Sequence, residues 1–193
     1  MSWETSPKPG LIAMHKNFDQ LKFKSLVHYV CRTCIDPRKL SATKLHKILW
    51  LSDVFAYKHY GQPITGEMYI KKQWGPFSSH LNSTLSHLEK EGRMFIHEVE
   101  WGEEKRQRQF VAKGDVDISL LSEDQLKIIN DVRDYVCENH TASSISDKSH
   151  DDIWQMALME EVIPYEATLV SRFVKPTDED IEWAKSILKN TIQ

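Results

Sequence analysis

The sequence lacks the features of a membrane-spanning or secreted protein. Its longest apolar runs are far shorter than the roughly 20 residues that a bilayer-spanning helix needs. No positively charged stretch followed by an apolar core and a small-residue cleavage site opens the chain, so we expect no secretion signal. Its three cysteines are an odd number and give no disulfide framework, which suits a reducing compartment. We therefore expect a cytoplasmic protein.

The sequence also lacks an excess of charge of either sign. Its 25 Lys and Arg residues face 28 Asp and Glu residues, which gives a formal charge of −3 and no global field for nucleic acid. A hydrophobic content of 40% and a charged content of 27% are ordinary for a globular protein of 193 residues. We expect a flexible lead-in over residues 1–16, where two prolines and a glycine occur, and one domain over residues 17–193.

Motifs of catalysis and of phosphate binding are missing. The seven glycines form neither a Gly-x-x-x-x-Gly-Lys loop nor a Gly-x-Gly-x-x-Gly turn. There is no Gly-x-Ser-x-Gly elbow, and the nine histidines form no His-Glu-x-x-His array. We predict no catalytic residues and no cofactor.

Two short pairs could supply a zinc site. The pairs Cys31-x-x-Cys34 and Cys137-x-x-His140 together offer four donors, enough for tetrahedral coordination. However, both cysteines of the first pair fall on the apolar stripe of a predicted helix, where free cysteine behaves as a small hydrophobic residue. Since neither pair has the glycine-bearing turn usual in zinc sites, we predict no metal.

Most of the chain has helical periodicity, with apolar residues at steps of three and four. We predict a first helix from Asn17 to Pro37, a central second helix from Ser41 to Gly61, and a third that is capped by Ser78 or Ser79 and ends at Gly92. Later helices are predicted from the capping box of residues 122–125, over residues 152–159 and from residue 176. The polar, serine-rich stretch 141–149 predicts a loop.

The remaining segments predict extended structure. Residues 68–72 indicate a short extended piece, followed by a Gly-Pro corner at residues 74–77. Residues 94–101 and 106–112 are β-prone and joined by a polar turn, which predicts a hairpin over residues 94–112. The fold class is therefore mainly α: one helical domain with a small β-hairpin and a middle section that resembles a winged helix.

The winged-helix order, a helix followed by a hairpin, raises a nucleic-acid hypothesis. Lys105, Arg106 and Arg108 near the hairpin turn could contact phosphates. The same hairpin carries four glutamates that largely cancel this charge: Glu98, Glu100, Glu103 and Glu104. Contact with a protein partner is an equally good use of such a shape, so both interpretations stay open.

Several segments, in this order and spacing, resemble the Panacea, or SocA-like, antitoxin family. The resemblance covers roughly residues 20–170. The segments that carry it are Lys44–Asp53, Tyr60–Gly66, the corner Trp74–Phe77, Ser149-His150 with Trp154, and Ile163–Glu166.

The resemblance implies a predominantly helical protein that neutralises a toxin in bacteria or their phages. It also implies no catalytic residues, and it leaves the toxin open because one scaffold serves against unrelated toxins. Our hypothesis is an antitoxin that acts by direct protein–protein binding. We expect Trp74, Phe77 and Trp101 to contact the partner, since aromatic residues beside turns often anchor interfaces. The alternatives are a winged-helix-like DNA-binding transcriptional regulator and a proteolysis adaptor for a toxin.

Overall fold

A computed structural model describes residues 18–34, 36–101 and 105–169. Within them the chain forms α1 (Gln20–Thr33), α2 (Ala42–Tyr60), β1 (Tyr69–Lys72), β2 (Gly75–Ser78), α3 (Leu81–Lys90), β3 (Met94–Trp101), β4 (Lys105–Ala112), α4 (Glu123–Asn139), α5 (Ala142–Lys148) and α6 (Asp152–Met156). Two 3₁₀ helices span Pro37–Lys39 and Tyr165–Leu169. The predicted lead-in over residues 1–16 and the predicted helix from residue 176 lie outside the described residues.

Helix α2 is the centre of the molecule, as its apolar periodicity predicts. The Ser41 hydroxyl accepts from the backbone N–H of Lys44, and Gly61 ends the helix in the left-handed region at φ 71°. Every residue from 44 to 54 is buried, and α4, α5 and β2 pack around the helix. Because this part of α2 has no solvent-facing side over about three turns, it packs against the core on every side.

Helix α1 completes the core with one apolar stripe. Phe23, Leu26, Val27 and Val30 are fully buried, and the helix packs against α3 and β4. It begins at Gln20, later than the predicted Asn17, because the Asp19 carboxylate caps it by accepting from the Lys22 N–H.

The described part of the chain contains two β-hairpins where the sequence predicted one. The predicted hairpin pairs β3 with β4, with Met94 opposite Ala112. The second pairs β1 with β2, with Lys72 opposite Gly75, so the predicted Gly-Pro corner is itself a strand. Val162 bridges to Ile70 on the other side of β1, which adds a third extended segment to this sheet.

Two local predictions are wrong. The stretch 141–149, predicted as a loop, contains α5, which is capped by a reciprocal pair of hydrogen bonds between Thr141 and Ser144. Helix α3 is capped by neither Ser78 nor Ser79; its N-cap is His80. Ser78 instead ends β2, and its hydroxyl donates to Glu67. The winged-helix interpretation rests on the order α3–β3–β4 alone and stays a prediction.

No helix in the described ranges is both long enough and apolar enough to span a bilayer.

Candidate functional site

Three buried lysines join the surrounding elements to the core. Lys44 Nζ donates to the carbonyl oxygen of Cys137 at 3.3 Å, in the last turn of α4. Lys47 Nζ donates to the Pro76 carbonyl at 3.0 Å, and Lys71 Nζ donates to the Ala157 carbonyl at 2.8 Å, just after α6. Ammonium groups suit the unpaired carbonyls at helix C-termini. Lys44 and Lys47 of the α2 motif therefore connect the central helix to α4 and β2.

A buried carboxylate on α2 organises the segment after it. Asp53 accepts from the Thr65 N–H and hydroxyl and from the Tyr69 hydroxyl, each at 2.8 Å. Tyr165 donates to the Glu67 carbonyl oxygen at 2.6 Å, which fixes residues 165–169 against the same helix. Burial raises the pKa of the Asp53 carboxyl to about 6, against the lowering effect of these hydrogen bonds.

A second buried carboxylate joins β2 to α3. Glu67 accepts from the Ser78 hydroxyl at 3.0 Å and from the His80 backbone N–H at 2.9 Å. Its other oxygen lies 2.8 Å from His80 Nδ1. Through these hydrogen bonds, Asp53 and Glu67 fix the positions of the segments that contain Thr65, Ser78 and His80.

Four large apolar side chains are exposed at the end of the β1–β2 sheet, and we call this surface the apolar tip. It consists of Trp74, Met156, Leu158 and Met159, which are 63%, 81%, 74% and 55% exposed. Trp74 lies in the β1–β2 turn, and the other three lie in or just after α6. Large apolar side chains exposed together mark interaction surfaces.

Hydrogen bonds hold the backbone of the tip in one shape. The N–H of Glu160 donates to the Lys71 carbonyl at 3.0 Å, and the N–H of Lys71 donates to the Glu161 carbonyl at 2.8 Å. The indole N–H of Trp154 donates to the Lys72 carbonyl at 3.2 Å. Glu160 has φ 68°, the only positive φ of a non-glycine residue in the described part of the chain. The tip is thus a built turn that presents its apolar side chains outward.

Of the predicted partner-binding residues, the structure places one in the apolar tip. Trp74 is in the apolar tip, whereas Phe77 is half-buried with its ring 4.0 Å from that of His46. The side chain of Trp101 lies outside the described positions. Sequence reasoning missed Met156, Leu158 and Met159 because it extended the helix to residue 159, where apolar residues at such spacing indicate core.

Two of the three predicted nucleic-acid residues have partners within the protein. Arg106 forms an ion pair with Glu98 at 3.6 Å, and Arg108 donates to the Asn82 side chain at 3.3 Å. The side chain of Lys105 is outside the described positions.

The cysteines of the two candidate zinc pairs partly converge. Cys34 lies beside Cys137, and a hydrogen bond from that thiol is the main cause of its lowered pKa. Over residues 18–34, 36–101 and 105–169, no three His, Cys, Asp or Glu side chains are placed to hold a metal ion together.

Comparison with known families identifies the chain. The family model for the SocA-like antitoxin, Panacea domain, matches residues 45–155, more than half of the sequence. The chain belongs to this family. No curated protein and no solved structure matches it.

The residues that match the Panacea family model can be located in the fold. The matched range begins within α2 and ends within α6, and it includes Lys47, Asp53, Gly75 and, of the apolar tip, Trp74. The Panacea motifs predicted from the sequence are mostly buried packing positions, while Met156, Leu158 and Met159 of the exposed tip follow after the matched range. The family assignment predicted from the sequence is confirmed.

Proposed function

We propose that this protein is the antitoxin of a toxin–antitoxin pair and neutralises its cognate toxin by direct protein–protein binding, with the apolar tip at the centre of the contact. Membership of the SocA-like antitoxin family supports the role. The observation that carries the choice of surface is the exposure of Met156 and Leu158, 81% and 74%, on a hydrogen-bonded turn.

The composition of the tip supports a protein contact. Trp and Met are enriched at the centres of protein interfaces, where burying them on association removes apolar surface from water. The positive φ of Glu160 costs on the order of 1 kcal/mol or more, a strain that ordinary surface turns avoid. A strained turn that exposes apolar side chains is best explained by a partner that covers them.

The mechanism needs no bond-making chemistry. The tip and its surroundings would dock on the toxin and block its working surface or hold it inactive. A stable contact of this kind buries about 1,200–2,000 Å² in total, so it would extend beyond the four tip residues.

The test is co-expression with the protein encoded by the neighbouring reading frame. We expect growth arrest by that protein alone, rescue by this chain, and a complex after co-purification. The double variant Met156→Glu, Leu158→Glu should weaken the complex at least about 100-fold, because charges at an interface centre must be desolvated.

The matched control is Ile118→Glu with Leu120→Glu, two apolar residues that are 43% and 42% exposed away from the tip. It should leave the complex unchanged. Equal loss in both double variants would show that the tip is not the contact surface, and absence of any complex would refute the antitoxin role. A shortened lifetime of the toxin in cells would instead support the proteolysis adaptor.

A further inference from the structure

A cleft beside the apolar tip is the second large feature of this face. It has a volume of about 960 Å³ and lies between the C-terminal end of α2, the first turn of α4 and residues 161–166. Glu161, which follows the tip turn directly, lines it. The turn of the tip and the lining of the cleft therefore meet at residues 160 and 161.

The charged side chains that line the cleft are mostly negative. Lys22 is the single lysine among them, and arginine and histidine are absent from the described lining. The acidic residues of the lining are Asp19, Glu67, Asp124, Glu161 and Glu166, and the carboxylate of Glu67 is directed to Ser78 and His80. A concave surface of one charge sign focuses its field and attracts groups of opposite charge.

A buried carboxylate behind the cleft wall adds to this field. Asp53 bonds only to the neutral donors of Thr65, Tyr69 and Tyr165 among the described residues, and all three of these residues line the cleft. Because burial raises its pKa to about 6, its charge is costly and a nearby cation would relieve that cost. The buried charge of Asp53 thus has the same sign as the carboxylates at the surface of the cleft.

Tyrosine rings complete the lining. Tyr60 is 55% exposed at the rim, and the rings of Tyr57 and Tyr165 lie 5.6 Å apart, tilted by 30°. Guanidinium groups stack on aromatic faces and pair with carboxylates at the same time, which a neutral side chain cannot do. Between the two strongly basic side chains, arginine suits this combination better, because its planar guanidinium stacks on a ring and pairs with a carboxylate in a fixed geometry.

We propose that this acidic, tyrosine-lined cleft binds an arginine-bearing segment of the toxin. The inference rests on the proposed antitoxin function and names the chemistry of the partner beside the apolar tip. The cleft then supplies charge recognition and the tip supplies apolar burial, the usual division between the rim and the centre of an interface.

The first test uses the full chain and a synthetic peptide. The probe is an acetylated peptide of alternating Gly and Arg residues, titrated by calorimetry, with the same peptide carrying neutral citrulline as control. We expect the arginine peptide to bind and the citrulline peptide not to bind. The affinity for the arginine peptide should fall about tenfold between 50 mM and 300 mM salt, because the contact is ionic. Equal heats for both peptides, or no binding of either, would overturn the inference.

Variants locate the binding. Asp124→Asn with Glu166→Gln removes two cleft charges and should weaken the arginine peptide about tenfold. Glu98→Gln with Glu100→Gln removes the same charge from the β3–β4 hairpin and should leave the affinity within about twofold. If the cleft variant and the hairpin variant weaken the peptide equally, the peptide responds only to the net charge of the protein, and a binding site in the cleft is contradicted.

The toxin provides the final measurement. If wild-type protein binds the toxin and the Asp124→Asn, Glu166→Gln variant binds it equally well, the cleft inference is wrong and the antitoxin role stands. If wild-type protein binds the arginine peptide but not the toxin, the antitoxin role fails instead. Loss of toxin affinity in the cleft variant, with retention in the hairpin variant, supports both.

Discussion

Lys47 shows at the scale of one residue how the motif on α2 works. Its ammonium group is buried with one carbonyl acceptor, that of Pro76, and burial lowers its pKa to about 7. The neutral amine is therefore the form that the folded protein favours. A stability contribution of this kind is complete above the unfolded pKa near 10.5 and is lost as the pH falls towards 7.

We predict that Lys47→Met removes this dependence. Between pH 10 and pH 7 the wild-type free energy of unfolding should fall, by up to about 1.4 kcal/mol per pH unit, relative to that of the variant. Urea unfolding at several pH values measures the difference. The exposed Lys90→Met is the control and should follow the wild type. Parallel curves for wild type and Lys47→Met would contradict the prediction.

Gly75 supports a second prediction at this scale. Its φ is 94°, and a Cβ at this position would lie 2.2 Å from Ser149 Oγ and 2.5 Å from Lys47 Nζ. Gly75→Ala should cost about 2–4 kcal/mol, because strain and a clash add. Gly61→Ala is the control, with φ 71° but no atom within 4 Å of the new Cβ, and should cost about 1 kcal/mol. Equal losses in thermal unfolding would show that the clash at Gly75 is relieved by movement.

At the scale of the element, the sequence predicts those helices that present an apolar stripe. Helices α1 to α4 and the β3–β4 hairpin follow from periodicity and turn residues. Helix α5 does not, because its seven residues, ASSISDK, contain one large apolar side chain, Ile145, and a capping pair with serine in place of Glu or Gln. Its helical form depends on contact with α2, which no local pattern records.

The candidate site was harder to predict for a related reason. Trp74 was found because it stands beside a turn, whereas Leu158 and Met159 continue an apolar spacing that normally indicates core. Their exposure follows from the early end of α6 and the turn at Glu160, both set by hydrogen bonds to β1. Likewise the cleft joins residues from positions 19 to 166, a separation that only the tertiary fold brings together.

The cap of α5 gives the prediction at this scale. Thr141→Ala removes the hydroxyl that accepts from the Ser144 N–H at 3.1 Å and should cost about 1 kcal/mol. Ser143→Ala, at an exposed position inside the same helix, should be neutral or slightly stabilising. Chemical unfolding of the two variants compares them, and no loss in Thr141→Ala would show that packing alone maintains α5.

At the scale of the whole molecule, the charge distribution bears on the DNA-binding alternative. The chain carries a formal charge of −3, and Arg106 and Arg108 contact Glu98 and Asn82 within the protein. We predict that the protein binds duplex DNA from the region upstream of its gene no more tightly than a dissociation constant of about 10⁻⁶ M, which is typical of non-specific contacts. Mobility-shift titrations measure this. The outcome that contradicts this prediction is DNA binding that is tighter, weakens with salt and is lost in the double variant Arg106→Glu, Arg108→Glu. That outcome would support the DNA-binding transcriptional regulator instead.

The complete burial of α2 between residues 44 and 54 limits how this scaffold can change its partner. Substitutions there alter packing on every side at once, so they cannot adjust recognition without a cost in stability. A change in binding specificity therefore requires substitutions at the periphery, where the side chains of residues 74, 124, 158 and 166 are solvent-accessible. Redesign of the proposed contact surface should randomise these positions and leave the central helix untouched.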